Sequence, residues 1–148
     1  MRAKIPMLLI RFVVGLVFVT EGILKYVRPE ELGAGRFAQI GFPFSHLLAP
    51  FVGGVEIAAG VAVLLGVLAG EGALLLLAVM VTALISTKIP ILTGQPLWIF
   101  HVPRNVAHTG VLGFMHEARL DVAMLFSLIA ILIDSGMRLG RKKRWNHR

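Results

Sequence analysis

The sequence predicts an all-α polytopic membrane protein, an antiparallel bundle of four transmembrane helices forming a single domain over residues 1–148. Three observations carry that expectation. Hydrophobic residues make up 57% of the chain and charged residues only 16%, with a mean hydropathy of +0.83, too apolar for a domain that must stay dispersed in water. The apolar residues come in four long blocks rather than in periodic stripes. Only Gly70-Glu71-Gly72 stands between the second and third blocks, which forces those helices to be antiparallel neighbours.

A hydrocarbon core about 30 Å thick takes roughly 20 residues of helix, because no water is present there to satisfy an open backbone. Residues 6–27 form the first span, and Pro6 suits a first helical turn, where a missing N–H is no loss. Met1-Arg2-Ala3-Lys4 looks like the basic start of a signal peptide. No small-x-small cleavage pattern follows the apolar run, so this span is expected to be retained. Residues 47–69 form the second span, after the breaker run Gly41-Phe42-Pro43-Phe44-Ser45-His46, and carry one ionisable residue, Glu56. Residues 72–89 form the third. Residues 120–137 form the fourth, with Asp121 and Asp134 near its ends.

Charge sets the orientation. Eight Lys and Arg residues lie on the terminal side (Arg2, Lys4, Arg138, Arg141, Lys142, Lys143, Arg144, Arg148) against four in the first and third connections (Arg28, Arg36, Arg104, Arg119). The positive-inside rule then places both termini in the cytoplasm. The basic tail reads as a topology anchor against anionic headgroups, not as a nucleic-acid site. With no cysteine, the chain forms no disulfide, thiolate zinc site or iron–sulfur cluster of its own, and any redox chemistry draws its electrons from a partner.

Ionisable residues inside a span cost roughly 2.5 kcal/mol or more each and normally face the bundle interior in pairs. Glu21 falls about 10 Å from the far end of a first helix about 33 Å long, and Glu56 about 14 Å below the same face of the membrane. Lys25, Lys88, Arg119 and Asp121 fall in that half as well. Glu21 and Lys25 are four apart in the favourable orientation for a helical ion pair. Glu56 and Lys88, on helices joined by the short turn, are natural partners, and the set of Glu21, Lys25, Glu56 and Lys88 sums to zero charge. Gly53 and Gly60 leave the Glu56 face without bulk, open to a neighbouring backbone or a ligand. Gly54, Ala58, Ala62, Gly66 and Gly70 form a small-residue row suited to helix packing. The cluster has two readings at this stage, a binding site and a static ion network holding the helices in register. At the opposite end Arg11 and Asp134 are expected to form a structural pair.

The connection over residues 90–119 holds Gln95, Trp98, His101, Arg104, His108 and His116. Trp98 and Phe100 read as interfacial anchors. His101 and His108 are seven apart, but Pro103 between them argues against a regular helix, so the histidines read as solvated or headgroup-facing and no metal site is expected. No phosphate loop, zinc-protease motif or nucleophile elbow occurs.

Gly15-Leu16-Val17-Phe18-Val19-Thr20-Glu21-Gly22-Ile23-Leu24-Lys25 followed by Pro29, then Ile40-Gly41-Phe42-Pro43, then Glu56-Ile57-Ala58-Ala59-Gly60-Val61-Ala62-Val63-Leu64-Leu65-Gly66, resembles the DoxX family over the first three spans. The resemblance implies a four-helix integral protein of a prokaryotic cytoplasmic (inner) membrane, of a family linked to quinone-dependent oxidation of sulfur compounds and to membrane oxidoreductase complexes. It carries over Lys25 and Glu56 as recurrent polar positions, with Glu21 beside them. Lys88 stands where a polar residue, often histidine, is expected, and the usual Ser-Leu-Asp ending is replaced by Asp134-Ser135-Gly136 and a basic tail.

These readings leave three hypotheses. One is a membrane subunit that binds quinone or a similar lipid-soluble carrier in support of an oxidoreductase, with no intrinsic cofactor. There Lys88 or Lys25 would donate to a carbonyl, Glu56 would relay a proton, and the Gly53/Gly60 face would make room. The second is a scaffold or assembly factor with a structural ion network. The third, a proton or small-solute transporter, is disfavoured because four short spans offer little pathway unless the chain oligomerises. The expected partners are the bilayer, other oxidoreductase subunits or further copies of the chain, and not nucleic acid.

Overall fold

The computed structural model describes residues 4–145, with side chains over residues 5–136. The regular elements among the described residues are all helical. α1 runs over Lys4–Val27, a short α2 over Ala34–Ile40 and α3 over Ser45–Leu65. A column of α4 (Ala69–Ala83), a π-turn (Leu84–Lys88) and α5 (Ile89–Thr93) follows, and α6 covers Val111–Trp145. Among the described residues, three columns are long and apolar enough to cross a membrane: Ile5–Val27, Ser45–Leu65 and Ala69–Thr93. The fourth expected span, residues 120–137, lies inside α6. Of the basic residues behind the expected orientation, Arg2 and Arg148 lie outside the described residues, and Lys4, Arg138, Arg141, Lys142, Lys143 and Arg144 lie outside the described side chains.

Several boundaries differ from the expected ones, each for a local reason. The turn between the second and third columns is at residues 66–68, not at Gly70-Glu71-Gly72. Gly66 adopts φ +74°, which stops α3, and its N–H bonds to the Val63 carbonyl at 3.2 Å. Gly70, Glu71 and Gly72 are already helical, with the Glu71 carboxylate in the first turn of α4, where the helix dipole favours an acid. The third connection is likewise shorter than residues 90–119. α5 continues to Thr93, Gly94 caps it at φ +68°, and α6 starts at Val111, so His116 and Arg119 are helical.

The helices pack as antiparallel neighbours, α1 on α3, α3 on α4 and α4 on α6. α1 and α3 touch backbone to backbone. A Cβ on Gly15 would lie 2.8 Å from the Gly60 carbonyl, and one on Gly22 would lie 2.6 Å from the Gly53 carbonyl. The open Glu56 face is therefore filled by α1, and the glycines are needed for that approach. Gly72 meets the Ala59 carbonyl in the same way, bringing α4 onto α3. The small-residue row packs on several neighbours: Gly54 lies by Tyr26 and Gly66 by Arg11 of α1, Ala62 by Gly72 of α4 and Gly70 by Ser135 of α6, while Ala58 is exposed. Val14, Phe18, Val63, Leu76, Leu128 and Ile131 fill the apolar core between the columns. Large apolar side chains such as Phe12, Leu16, Leu74 and Phe126 point outward, while Glu56, Ser86, Thr87 and Lys88 are buried. Such an inversion is stable where the surrounding solvent is lipid.

Candidate functional site

The functional candidates converge where α1, α3, the π-turn and α6 face one another. α1 contributes Lys25, near its C-terminal end. α3 contributes Glu56, on the face that also holds Ala49, Gly53, Gly60 and Val63. Lys25 Nζ and Glu56 Oε2 are 2.6 Å apart, with side chains 10% and 5% exposed. This is a buried ion pair at close range, and Lys25 is the one cation that meets the Glu56 carboxylate among the described residues. Lys25 also donates to the Glu21 main-chain carbonyl at 3.4 Å.

Lys88 is presented by the π-turn. Pro90 has no N–H to give to the preceding turn, and over Leu84–Lys88 the ladder widens so that the Ile89 N–H reaches the Leu84 carbonyl. The Ala83 carbonyl accepts the Thr87 hydroxyl at 2.6 Å and the Ser86 hydroxyl at 3.4 Å. Lys88 Nζ then meets Asp121 Oδ2 of α6 at 3.1 Å.

Two expected pairings are thereby corrected. Glu56 is neutralised by Lys25, not by Lys88, and Lys88 by Asp121. Glu21 forms no salt bridge among the described residues; its carboxylate is exposed, and only its main-chain oxygen serves Lys25. Arg119 is also outside the cluster, since its guanidinium donates to the His116 carbonyl of its own helix. Arg11 and Asp134 pair at 3.4 Å at the other end of the bundle, as the sequence suggested.

Glu21, Lys25, Glu56, Lys88 and Asp121 all line one cavity of about 460 Å³. Apolar side chains, among them Phe18, Met80, Leu120 and Met124, form the rest of its wall, and α2 covers it with Arg36, Phe37 and Ile40. Gly53 and Gly60 are not part of that wall, because α1 occupies their face; the room lies beside the ion pairs and not over the glycines. Arg36, Ser86 and Thr87 are cavity residues that sequence reasoning missed. The polar run Ser86-Thr87-Lys88 just before Pro90 was the available signal for two of them. Among the described residues no three His, Asp or Glu side chains come together as a metal site.

The DoxX family profile matches residues 6–89, more than half of the chain. This chain belongs to the DoxX family. The match ends within the Lys88 segment, so it covers α1 to the π-turn and leaves Asp121 outside. The DoxX chain is 41% identical over 139 residues to the uncharacterized membrane protein Rv3486 of Mycobacterium tuberculosis, an alignment covering 94% of this chain and 80% of that one. No solved structure matches it. Chemically, the cavity of this DoxX protein offers ammonium donors and carboxylate acceptors inside an apolar enclosure, a setting in which each hydrogen bond counts for more than in water.

Proposed function

We propose that this protein binds the polar head of quinone or a similar lipid-soluble carrier in the cavity, as a membrane subunit supporting an oxidoreductase complex. The observation that carries the reading is the cavity of about 460 Å³ with two oppositely charged pairs on an otherwise apolar wall. Small-molecule sites are mostly apolar pockets with a few convergent polar groups, and charges inside a membrane default to function. In this reading Lys88 donates to a ring oxygen, Glu56 is the group through which a proton leaves or enters, and Lys25 holds Glu56 in place. Electrons come from partner subunits. The apolar middle of α6 is the fourth span, and both termini face the cytoplasm of a prokaryotic inner membrane.

The test is to purify the protein in mild detergent, extract its lipids and titrate short-chain quinones while following thermal unfolding. Co-purified quinone and a rise in Tm are expected; absence of both overturns the reading. A scaffold role is the second reading, favoured by the fact that both intramembrane lysines already have counter-ions. It predicts that Glu56→Gln lowers stability and leaves redox activity per folded molecule unchanged.

A further inference from the structure

We infer that the cavity selects the reduced, hydroquinone form of such a carrier over the oxidised quinone. This rests on the carrier reading above and adds to it the hydrogen-bonding form of the ligand. The cavity wall leaves several hydrogen-bonding groups unmet. Glu56, with a side chain 5% exposed, is met by one cation, Lys25, at Oε2, and none of the described residues donates to its other oxygen. A carboxylate has about four lone-pair sites, so a single ammonium leaves it able to accept more. The Ser86 and Thr87 hydroxyl hydrogens both go to the Ala83 carbonyl, so these two side chains face the cavity with lone pairs. Glu21 adds a carboxylate that forms no salt bridge. On the other side, the Lys88 ammonium has three N–H donors and one acceptor in reach, Asp121.

The wall therefore leaves acceptor sites open at Glu56, Ser86 and Thr87 and offers donors at Lys88, with Lys25 and Arg36 beside it. A quinone carries acceptors only: it satisfies Lys88 and sets a carbonyl lone pair toward a carboxylate. A hydroquinone carries a hydroxyl hydrogen as well as oxygen lone pairs, so it satisfies both. Its methyl ether keeps the ring and the lone pairs and lacks the hydrogen.

The experiment uses the full chain in lipid nanodiscs and measures binding of a short-chain quinone, its hydroquinone held reduced, and the hydroquinone dimethyl ether. The hydroquinone is expected to bind more tightly than either of the others by roughly tenfold or more, the span of one hydrogen bond to a charged group. In Glu56→Gln that advantage is expected to shrink to within a few-fold. Should that variant fail to fold, the comparison with the ether on the unaltered protein still decides. Equal or tighter binding of quinone or ether overturns this inference and leaves the carrier reading standing, whereas no binding by any of the three overturns both.

Discussion

Lys25 and Glu56 reach each other across the point where Gly22 and Gly53 bring α1 and α3 into backbone contact. Each charged residue stands three positions C-terminal of its glycine, and the helices are antiparallel, so the two Cα atoms lie on opposite sides of the crossing. Helical side chains lean toward the N-terminus of their own helix. Lys25 and Glu56 consequently lean toward one another, and the 2.6 Å pair closes over the crossing.

Gly22→Ala tests that geometry. The added methyl would lie 2.6 Å from the Gly53 carbonyl and 2.7 Å from Ile57 Cγ1, so the helices must part. We expect a loss of about 1–3 kcal/mol, the usual cost of overpacking, read as a lower Tm in detergent. Gly136→Ala, where a Cβ meets nothing within 4 Å, is the control and should unfold at or slightly above the parent temperature. An unchanged Tm for Gly22→Ala would refute the close approach.

A double-mutant cycle on Lys25→Met and Glu56→Gln should show strong coupling. Removing one partner leaves a buried charge or dipole uncompensated, at about 3–5 kcal/mol for each single change. The double variant should lose clearly less than the sum. The exposed pair Arg28 and Glu31, at 3.2 Å with side chains 62% and 70% exposed, should show no measurable coupling. Additive losses at Lys25 and Glu56 would mean that the pair does not form in the folded protein.

Pro90→Ala probes the π-turn. Restoring an N–H at position 90 lets the column run on in plain α geometry, which swings Lys88 by up to about 100°, the turn of one residue. Carrier binding should weaken several-fold while Tm stays within a few degrees of the parent. Binding at full strength in this variant would show that Pro90 does not position Lys88.

The chain has no cysteine, so single cysteines report topology without background. Glu31→Cys and Arg104→Cys should react with an impermeant maleimide added to intact cells, and Glu71→Cys only after permeabilisation. Labelling of Arg104→Cys and Glu71→Cys from the same side would remove the column Ala69–Thr93 as a crossing helix.

Much of the architecture was legible because the bilayer is a severe solvent. It admits long apolar helices and rejects unpaired charge, so hydropathy alone marked residues 6–27, 47–69 and 72–89 close to their observed columns. Termini of elements were less legible, since they depend on single backbone conformations such as φ +74° at Gly66. The polar cluster was also legible as a depth: alternating antiparallel helices bring Glu21, Lys25, Glu56, Lys88 and Asp121 to one end of the bundle by rise per residue alone.

Which lysine answers which acid was decided only by the tertiary structure. Depth along a helix follows from counting residues, but direction around it depends on how the helix is rotated against its neighbours. Here the rotation is set by Gly22 on Gly53, Gly15 on Gly60 and Gly72 on Ala59, and by the π-turn ahead of Pro90. Those contacts give Glu56 to Lys25, turn Lys88 toward Asp121 and leave the cavity between the two pairs. A one-dimensional pattern carries no term for such contacts, because close packing at a glycine is a property of two surfaces at once.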